Sequence, residues 1–300
     1  MSTLNALMRG ERARAALVSL LLLGLMLLVW HVATLSPTVA PAKPVAMTAE
    51  QIEYAKLMGK DPGTASEAAG APQKSGFPTL VQMGSTIAHH LSSPFYDNGP
   101  NDKGIGLQLA YSLGRVGLGY LLAALVAIPL GFVIGMSPLL YRALDPFIQV
   151  LKPISPLAWM PLALYTIKDS AASGIFVIFI CSVWPMLINT AFGVAGVRRE
   201  WLNVARTLEV QPLRKALQVI LPAAAPTILT GMRISMGIAW LVIVAAEMLV
   251  GGTGIGYFVW NEWNNLSLPN VIFAILTIGL VGMLLDQVFA RAQKAVTYAE

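Results

Sequence analysis

Six runs of about twenty mostly apolar residues divide this chain, at 15–35, 118–136, 147–167, 174–197, 228–250 and 271–290. A helix rising about 1.5 Å per residue needs roughly that many to cross a hydrocarbon core of about 30 Å. Backbone donors and acceptors find no water inside lipid, so each run is predicted to be a helix that satisfies them internally. Alternation with period two is weak, which argues against a barrel. The expectation is an all-α membrane protein with six transmembrane helices. The first run follows Arg9, Arg12 and Arg14 and exceeds the ~7–15 apolar residues of a secretory signal. It reads as a retained anchor.

The third and fourth runs are interrupted by Pro153, Pro156 and Pro161, and by Trp184-Pro185. Each proline removes a backbone donor and crowds the preceding turn, so both helices are predicted to be irregular. Broken helices at membrane depth are tolerated where they pack inside protein or line a watery cavity. That favours a transport path over an inert anchor. Residues 36–110 form one long external segment, Pro/Ala-rich at first, with a short helix predicted near 48–58. Its second half, FYDNGPNDKGIG, carries the Gly, Asn and Asp of tight turns. His89-His90 lies there as polar residues of a solvated loop; zinc would need further ligands, and no metal site is expected. Gly131 and Gly135 form a GxxxG helix-contact pair. Gly251-Gly252-Thr253-Gly254-Ile255-Gly256 follows an apolar span and opens no Rossmann helix, so it is read as an outer-surface turn.

Composition agrees with the pattern. Of 300 residues 56% are hydrophobic and 12% charged, against roughly 25% charged in soluble domains. Mean hydropathy is +0.67 and the sequence pI about 9.4. The formal charge of +5 has no Lys/Arg block interleaved with aromatics, so nucleic acid is not an expected partner. Lys and Arg gather on the cytoplasmic side of membranes. Placing the N-terminus, the loop with Arg142, the 198–222 loop and the tail with Arg291 and Lys294 inside puts both termini in the cytoplasm. The outer loops 168–173 and 251–270 then carry Lys168 alone. Cys181, the sole cysteine, cannot form an intrachain disulfide. There is no GxxxxGK[ST] phosphate loop, no HExxH and no paired cysteine. An enzyme is not expected.

The 198–222 loop is the most structured polar segment. At about 100° per residue, Trp201, Val204, Ala205 and Leu208 gather on one side and Arg199, Glu200, Asn203, Arg206 and Thr207 on the other. Gln211-Pro212 interrupts this helix and suits the start of another. Leu213, Ala216, Leu217, Ile220 and Leu221 continue at helical spacing. Two short amphipathic helices are therefore predicted along the inner membrane surface. The pattern alone does not choose between binding headgroups and docking a cytoplasmic protein.

Aligned on Leu221-Pro222, this segment resembles the cytoplasmic loop of the inner-membrane permeases of ABC importers. Their pattern is Glu-Ala-Ala, three residues, Gly, nine residues, Ile, one residue, Leu-Pro. Here Asn203-Val204-Ala205 stands at the Glu-Ala-Ala, Glu209 at the Gly and Val219 at the Ile. SLGRVGLGYLLAALVAIPLGFVIGMS, LDPFIQVLKPISPLAWMPLALYTIKDS and TGMRISMGIAWLVIVAAEMLVGGTGIGYFVWNEWNNL resemble the nitrate/sulfonate/taurine branch, over about residues 105–292. GGTGIGYFVWNEWNN and the altered loop look most like its nitrate members.

The resemblance implies a type I importer fold with a cytoplasmic tail and first helix at 1–36 and a periplasmic linker at 37–104. A permease domain at 105–292 and a cytoplasmic tail at 293–300 complete it. It implies a multi-pass protein of the bacterial inner membrane, a second permease copy, two ABC ATPase subunits and a periplasmic nitrate-binding protein. ATP and Mg would sit on the ATPase, with no cofactor on this chain. Trp201, Asn203, Val204, Ala205, Arg206, Thr207, Leu208, Glu209, Leu221 and Pro222 would form the ATPase-coupling loop, and nitrate or nitrite would be the cargo.

Sulfonate or taurine, cyanate and bicarbonate are the alternatives within that class. An ATPase-independent anion channel or secondary transporter, or a non-transporting scaffold, lies outside it. Four charges sit in or near the spans. Arg115, Lys152 and Arg233 are candidates for an anion pathway, although snorkelling to headgroups also explains them. Glu247 would repel an anion and suits a structural pairing or a gate contact.

Overall fold

The computed structural model describes residues 2–34, 77–99 and 102–296; the helix expected near 48–58 lies outside them. The chain divides into two compact units, Met1–Ala88 and His89–Glu300. In the first, α1 (Ser2–Thr34) contains an apolar window over Ala13–Thr34. Near its end the Trp30 indole donates to Pro78 O at 2.9 Å and meets the Phe77 ring edge-on at 5.4 Å.

Helix α2 (Leu80–Ser92) falls in the segment read from sequence as linker and loop. Its start is a reciprocal capping box. Gln82 N–H donates to Thr79 Oγ1 at 3.3 Å, while Thr79 N–H donates to Gln82 Oε1 at 3.0 Å. In the second unit, Asp97 and Lys103 form a single antiparallel bridge, Asn98 N–H donates to Asp102 O at 2.9 Å, and Gly99 has a positive φ of +142°. The Lys103 ammonium donates to Asp97 and holds that carboxyl below its usual range. Burial, with Asp102 beside it, pushes the Tyr96 phenol up.

Three long helices make the core: α3 (Ile105–Met136), α6 (Ser170–Ala195) and α8 (Pro212–Val250). Their mutual packing dominates the tertiary contacts. Helix α3 shows α6 a row of small buried residues four apart: Gly119, Ala123, Ala127, Gly131 and, flanking them, Gly135. A Cβ built on Gly131 would lie 2.7 Å from Leu187 O, and one on Gly135 2.5 Å from Ala191 O. The two backbones meet at a distance only glycine allows, so the GxxxG pair is a true helix contact. Ser235 Oγ donates to Ser182 O at 2.8 Å and Tyr120 Oη to Met232 O at 3.0 Å. These bonds satisfy polar side chains inside the bundle.

The third predicted span is two helices, α4 (Pro138–Leu151) and α5 (Pro156–Ile167), bent by 90°. Ser137 caps α4 and Pro138 opens it, Pro153 sits in the break, and Pro156 starts α5. Prolines at first-turn positions start helices instead of kinking them, which is why one apolar run gives two. The fourth span stays a single helix: α6 starts at the Asp169 cap, which accepts from Ala172 N–H at 2.7 Å, and runs through Pro185 unbroken. Among the described residues, five helices are long and apolar enough to cross a membrane, or six counting the bent pair as one span.

After α6 come α7 (Arg199–Thr207) and α8, with α9 (Ile255–Asn264) and α10 (Leu268–Val296) completing the unit. The predicted second amphipathic helix is not separate. It is the start of α8, joined to it through a π-helical turn over Ala216–Ile220. Pro222 has no N–H to give to Gln218, and one residue earlier Leu221 N–H bonds Ala216 O with the wider π spacing. The Leu-Pro pair thus marks where the ladder changes step. The glycine-rich turn after α8 is as expected, with φ of +79°, +95° and +152° at Gly251, Gly252 and Gly254. The ten residues of α9 beyond it form a helix where the sequence pattern predicts only an outer loop.

Candidate functional site: a coupling loop and a buried ion pair

The loop between α6 and α8 is built on one helix with a firm stop. Val210 N–H bonds Ala205 O at 3.1 Å and Glu209 N–H bonds Arg206 O at 3.0 Å, the paired bonds of a Schellman ending. That ending needs a left-handed residue, and Glu209 supplies it with φ of +49°. Glutamate therefore occupies the family's glycine position without loss of the turn. Below the loop, Leu202 packs against a cluster of Val194, Val197, Ile220, Ala224 and Ile228, and Ala205 is buried.

The expected apolar face does not pack as one. Of Trp201, Val204, Ala205 and Leu208 only Ala205 is buried, and the other three are exposed. Leu202 and Ala205 hold α7 to the bundle, and the Arg198 guanidinium lies over the Trp201 ring at 5.5 Å. Leu213 and Leu217 at the start of α8 are exposed as well. Asn203, Arg206, Thr207 and Glu209 point to solvent, and Leu221 and Pro222 close the π turn. The loop offers a mixed apolar and polar surface on a rigid base.

Glu247, near the end of α8, is 3% exposed. Its carboxylate accepts from Arg115 Nη1 at 2.8 Å and Gly256 N–H at 3.1 Å, with Ser112 Oγ at 2.8 and 2.9 Å from its two oxygens. Ser112 accepts in turn from Ile255 N–H at 2.9 Å, and Arg115 Nη1 also reaches Thr253 O at 2.5 Å. One carboxylate thus ties α3 to the glycine turn and the first turn of α9. The expected structural pairing of Glu247 is met by Arg115, which turns into the bundle and not toward headgroups. Ser112 escaped the sequence reading. Its signal is the three-residue spacing from Arg115, which puts both on one face of α3.

The other two candidate cations do not join this cluster. Lys152 is exposed at the break between α4 and α5. Arg233 on α8 spends its fork on Asp286 of α10, with Nε and Nη2 each 2.6 Å from a carboxylate oxygen. His90, read as a solvated residue, is 8% exposed. It stacks on Phe273 at 4.8 Å and donates from Nε2 to Asn270 Oδ1 at 3.0 Å, and Asn270 Nδ2 donates to Glu262 at 2.6 Å.

A bundle with one proline-broken span, a buried ion pair and a structured polar loop is the architecture of a membrane translocation subunit, and similarity to known proteins assigns it to that class. Residues 127–297 match the family model described as binding-protein-dependent transport system inner membrane component. The nitrate import permease protein NrtB of Synechocystis is 45% identical over 226 residues, covering 75% of this chain and 82% of that protein. The bicarbonate transport system permease protein CmpB of the same strain is 45% identical over 207 residues, 69% of this chain and 74% of the relative. Among solved structures, the MetNI methionine ABC transporter in an inward-facing form aligns with a TM-score of 0.58 at 14% identity. That alignment covers 65% of this chain and 96% of that one. The chain belongs to the binding-protein-dependent ABC importer permeases and has their type I fold. It is a translocation subunit, and ATP hydrolysis belongs to a separate partner.

Proposed function

We propose that this chain forms, as a homodimer, the path through which nitrate or nitrite is imported across the inner membrane. A periplasmic nitrate-binding protein delivers the anion, and two cytoplasmic ATPase subunits drive the cycle. Both termini lie in the cytoplasm. The observation that carries the cargo is the 45% identity to a nitrate import permease over three quarters of the chain. Bicarbonate is the second reading, favoured by the equal identity to a bicarbonate permease. Nitrate and bicarbonate are both planar and singly charged, so the path is suited to small planar oxyanions.

The ATPase docks on residues 200–212. A Schellman stop and a base of half-buried Leu202 and buried Ala205 make this loop a stiff lever, and the exposed Trp201, Val204 and Leu208 fill a groove on the ATPase. Closure of the ATPase dimer pushes α7 and, through the π turn, α8. Coupling of this kind requires a loop contact that differs between two states.

In cells carrying the complete importer, ATP-dependent uptake of labelled nitrate is expected to exceed that of taurine. Arg206→Glu should abolish it while the permease still reaches the membrane. Normal uptake by that variant overturns the coupling assignment, and preferential bicarbonate uptake reassigns the cargo.

A further inference from the structure

Where α3 ends and α4 begins, the chain leaves a groove of about 200 Å3 against the last turn of α6. Gly135, Pro138, Tyr141 and Arg142 line it from α3 and α4, and Phe192 and Ala195 from α6. The lining is apolar apart from Arg142 and the Tyr141 hydroxyl. Pro138 and Arg142 stand four apart, so they share one face of α4. Apolar surface continues beyond the groove through exposed Leu139 and Phe192. The Arg142 guanidinium makes no hydrogen bond or ion pair among the described residues. Asp145, one turn on, accepts instead from Gln149 at 3.4 Å. The groove lies at the coupling-loop end of α6, with Ala195 three residues before Arg198.

We infer that this groove binds the headgroup of an anionic phospholipid; that the inner leaflet supplies it rests on the orientation proposed above. A guanidinium fork matches two oxygens of a phosphate, and a tyrosine suits the headgroup level with its ring in apolar surroundings. Basic pockets between membrane helices on the cytoplasmic side hold anionic headgroups in this way. The groove takes only part of a lipid, the phosphate and the start of a chain, and the chains continue over Leu139 and Phe192. A headgroup of net negative charge gains more from an unpaired arginine than a zwitterionic one, whose own cation competes for the phosphate. The rival occupant is a second copy of this chain. An isologous contact centred here would set Arg142 against its own copy, and like charges facing each other are unfavourable. Val194 and Val197, on either side of Ala195, belong to the cluster that Leu202 packs against. A lipid resting on Ala195 therefore steadies the base of the coupling loop.

The complete permease–ATPase complex in detergent micelles is titrated with phosphatidylglycerol or phosphatidylcholine, and retained lipid is counted by native mass spectrometry. Phosphatidylglycerol is expected to be retained in preference, at one site per permease copy. Arg142→Gln should weaken it about fivefold, the worth of one basic residue beside an anionic headgroup. Arg291→Gln, an equal charge change at an exposed position near the end of α10, should leave it unaltered. Ala195→Leu fills the groove without altering charge and should weaken the lipid too, whereas a contact to phosphate alone would not respond. Retention unchanged by Arg142→Gln or by Ala195→Leu overturns the site, as does an equal loss from Arg291→Gln. Phe192→Cys in a Cys181→Ala background tests the rival occupant. Efficient disulfide cross-linking between two permease copies would mean that protein fills the groove, and would overturn the lipid site as well. Micelles have no leaflets, so these outcomes are independent of orientation, which labelling of the termini in intact cells decides separately.

Discussion

Glu209 holds a backbone conformation that costs an L-residue roughly 1–2 kcal/mol, and nothing in its exposed side chain requires it to be glutamate. Glycine would remove that strain but lose about 0.5–1 kcal/mol through the freedom it gains when unfolded. The balance predicts that Glu209→Gly stabilises the loop by roughly 0.5–1 kcal/mol. Glu209→Val, β-branched in the left-handed region, should destabilise it by more than that. Limited proteolysis of the 199–212 loop and the apparent unfolding midpoint of the purified complex would rank Gly above Glu above Val. Another order would mean that Glu209 makes a contact to the ATPase worth more than the strain. The sequence showed that the family glycine was replaced, but not that the turn survives, because backbone dihedral angles are set by the Schellman bonds and not by residue type alone.

At the scale of elements, the α3–α6 contact depends on glycine at three places where a side chain has no room, Gly119, Gly131 and Gly135. Gly135→Leu should destabilise the permease by about 1–3 kcal/mol or more, the range for overpacking a filled interior. Gly114 and Gly117 have nothing within 4 Å of an added Cβ, so Gly117→Ala should be neutral or better. Yield and thermal stability of the detergent-purified complex would check both, and equal behaviour of positions 117 and 135 would sink the close-packing account. Long apolar runs were legible because lipid enforces them, and the glycine pair because its spacing matches a helix face. Helix α9 was not, since its first turn is tied to Glu247 of another helix, a contact that leaves no local pattern. Helix α2 could have been found, since Thr79 and Gln82 spell a capping box. The stripe on α7 misled, because exposed Trp201, Val204 and Leu208 have the same periodicity as buried residues; only the packing of Leu202 on the Val197–Ile220 cluster and the burial of Ala205 show which side faces inward.

At the scale of the whole molecule, the question is whether this chain can conduct an anion without its ATPase. The two functional ends lie about 39 Å apart along α6, one a stiff loop with an exposed surface and the other an ion pair that closes α3, α8 and the α9 turn together. A channel would have no use for the first, and one whose opening separated α3 from the α9 turn would have to break the second. Breaking the Arg115–Glu247 contact leaves a buried carboxylate short of its cation, a cost of about 3–5 kcal/mol when one partner is removed outright. A spontaneously opened state at that cost would be occupied on the order of once in 10²–10⁴ molecules, so passive flux would be low, and flux against a gradient needs an energy input in any case. In the function proposed above, that work enters through α7. Liposomes containing this chain alone are expected to show nitrate flux at least tenfold below liposomes holding the ATP-supplied complex with its binding protein. Comparable flux from the permease alone, unaffected by ATP, would place the chain among channels in spite of its coupling loop.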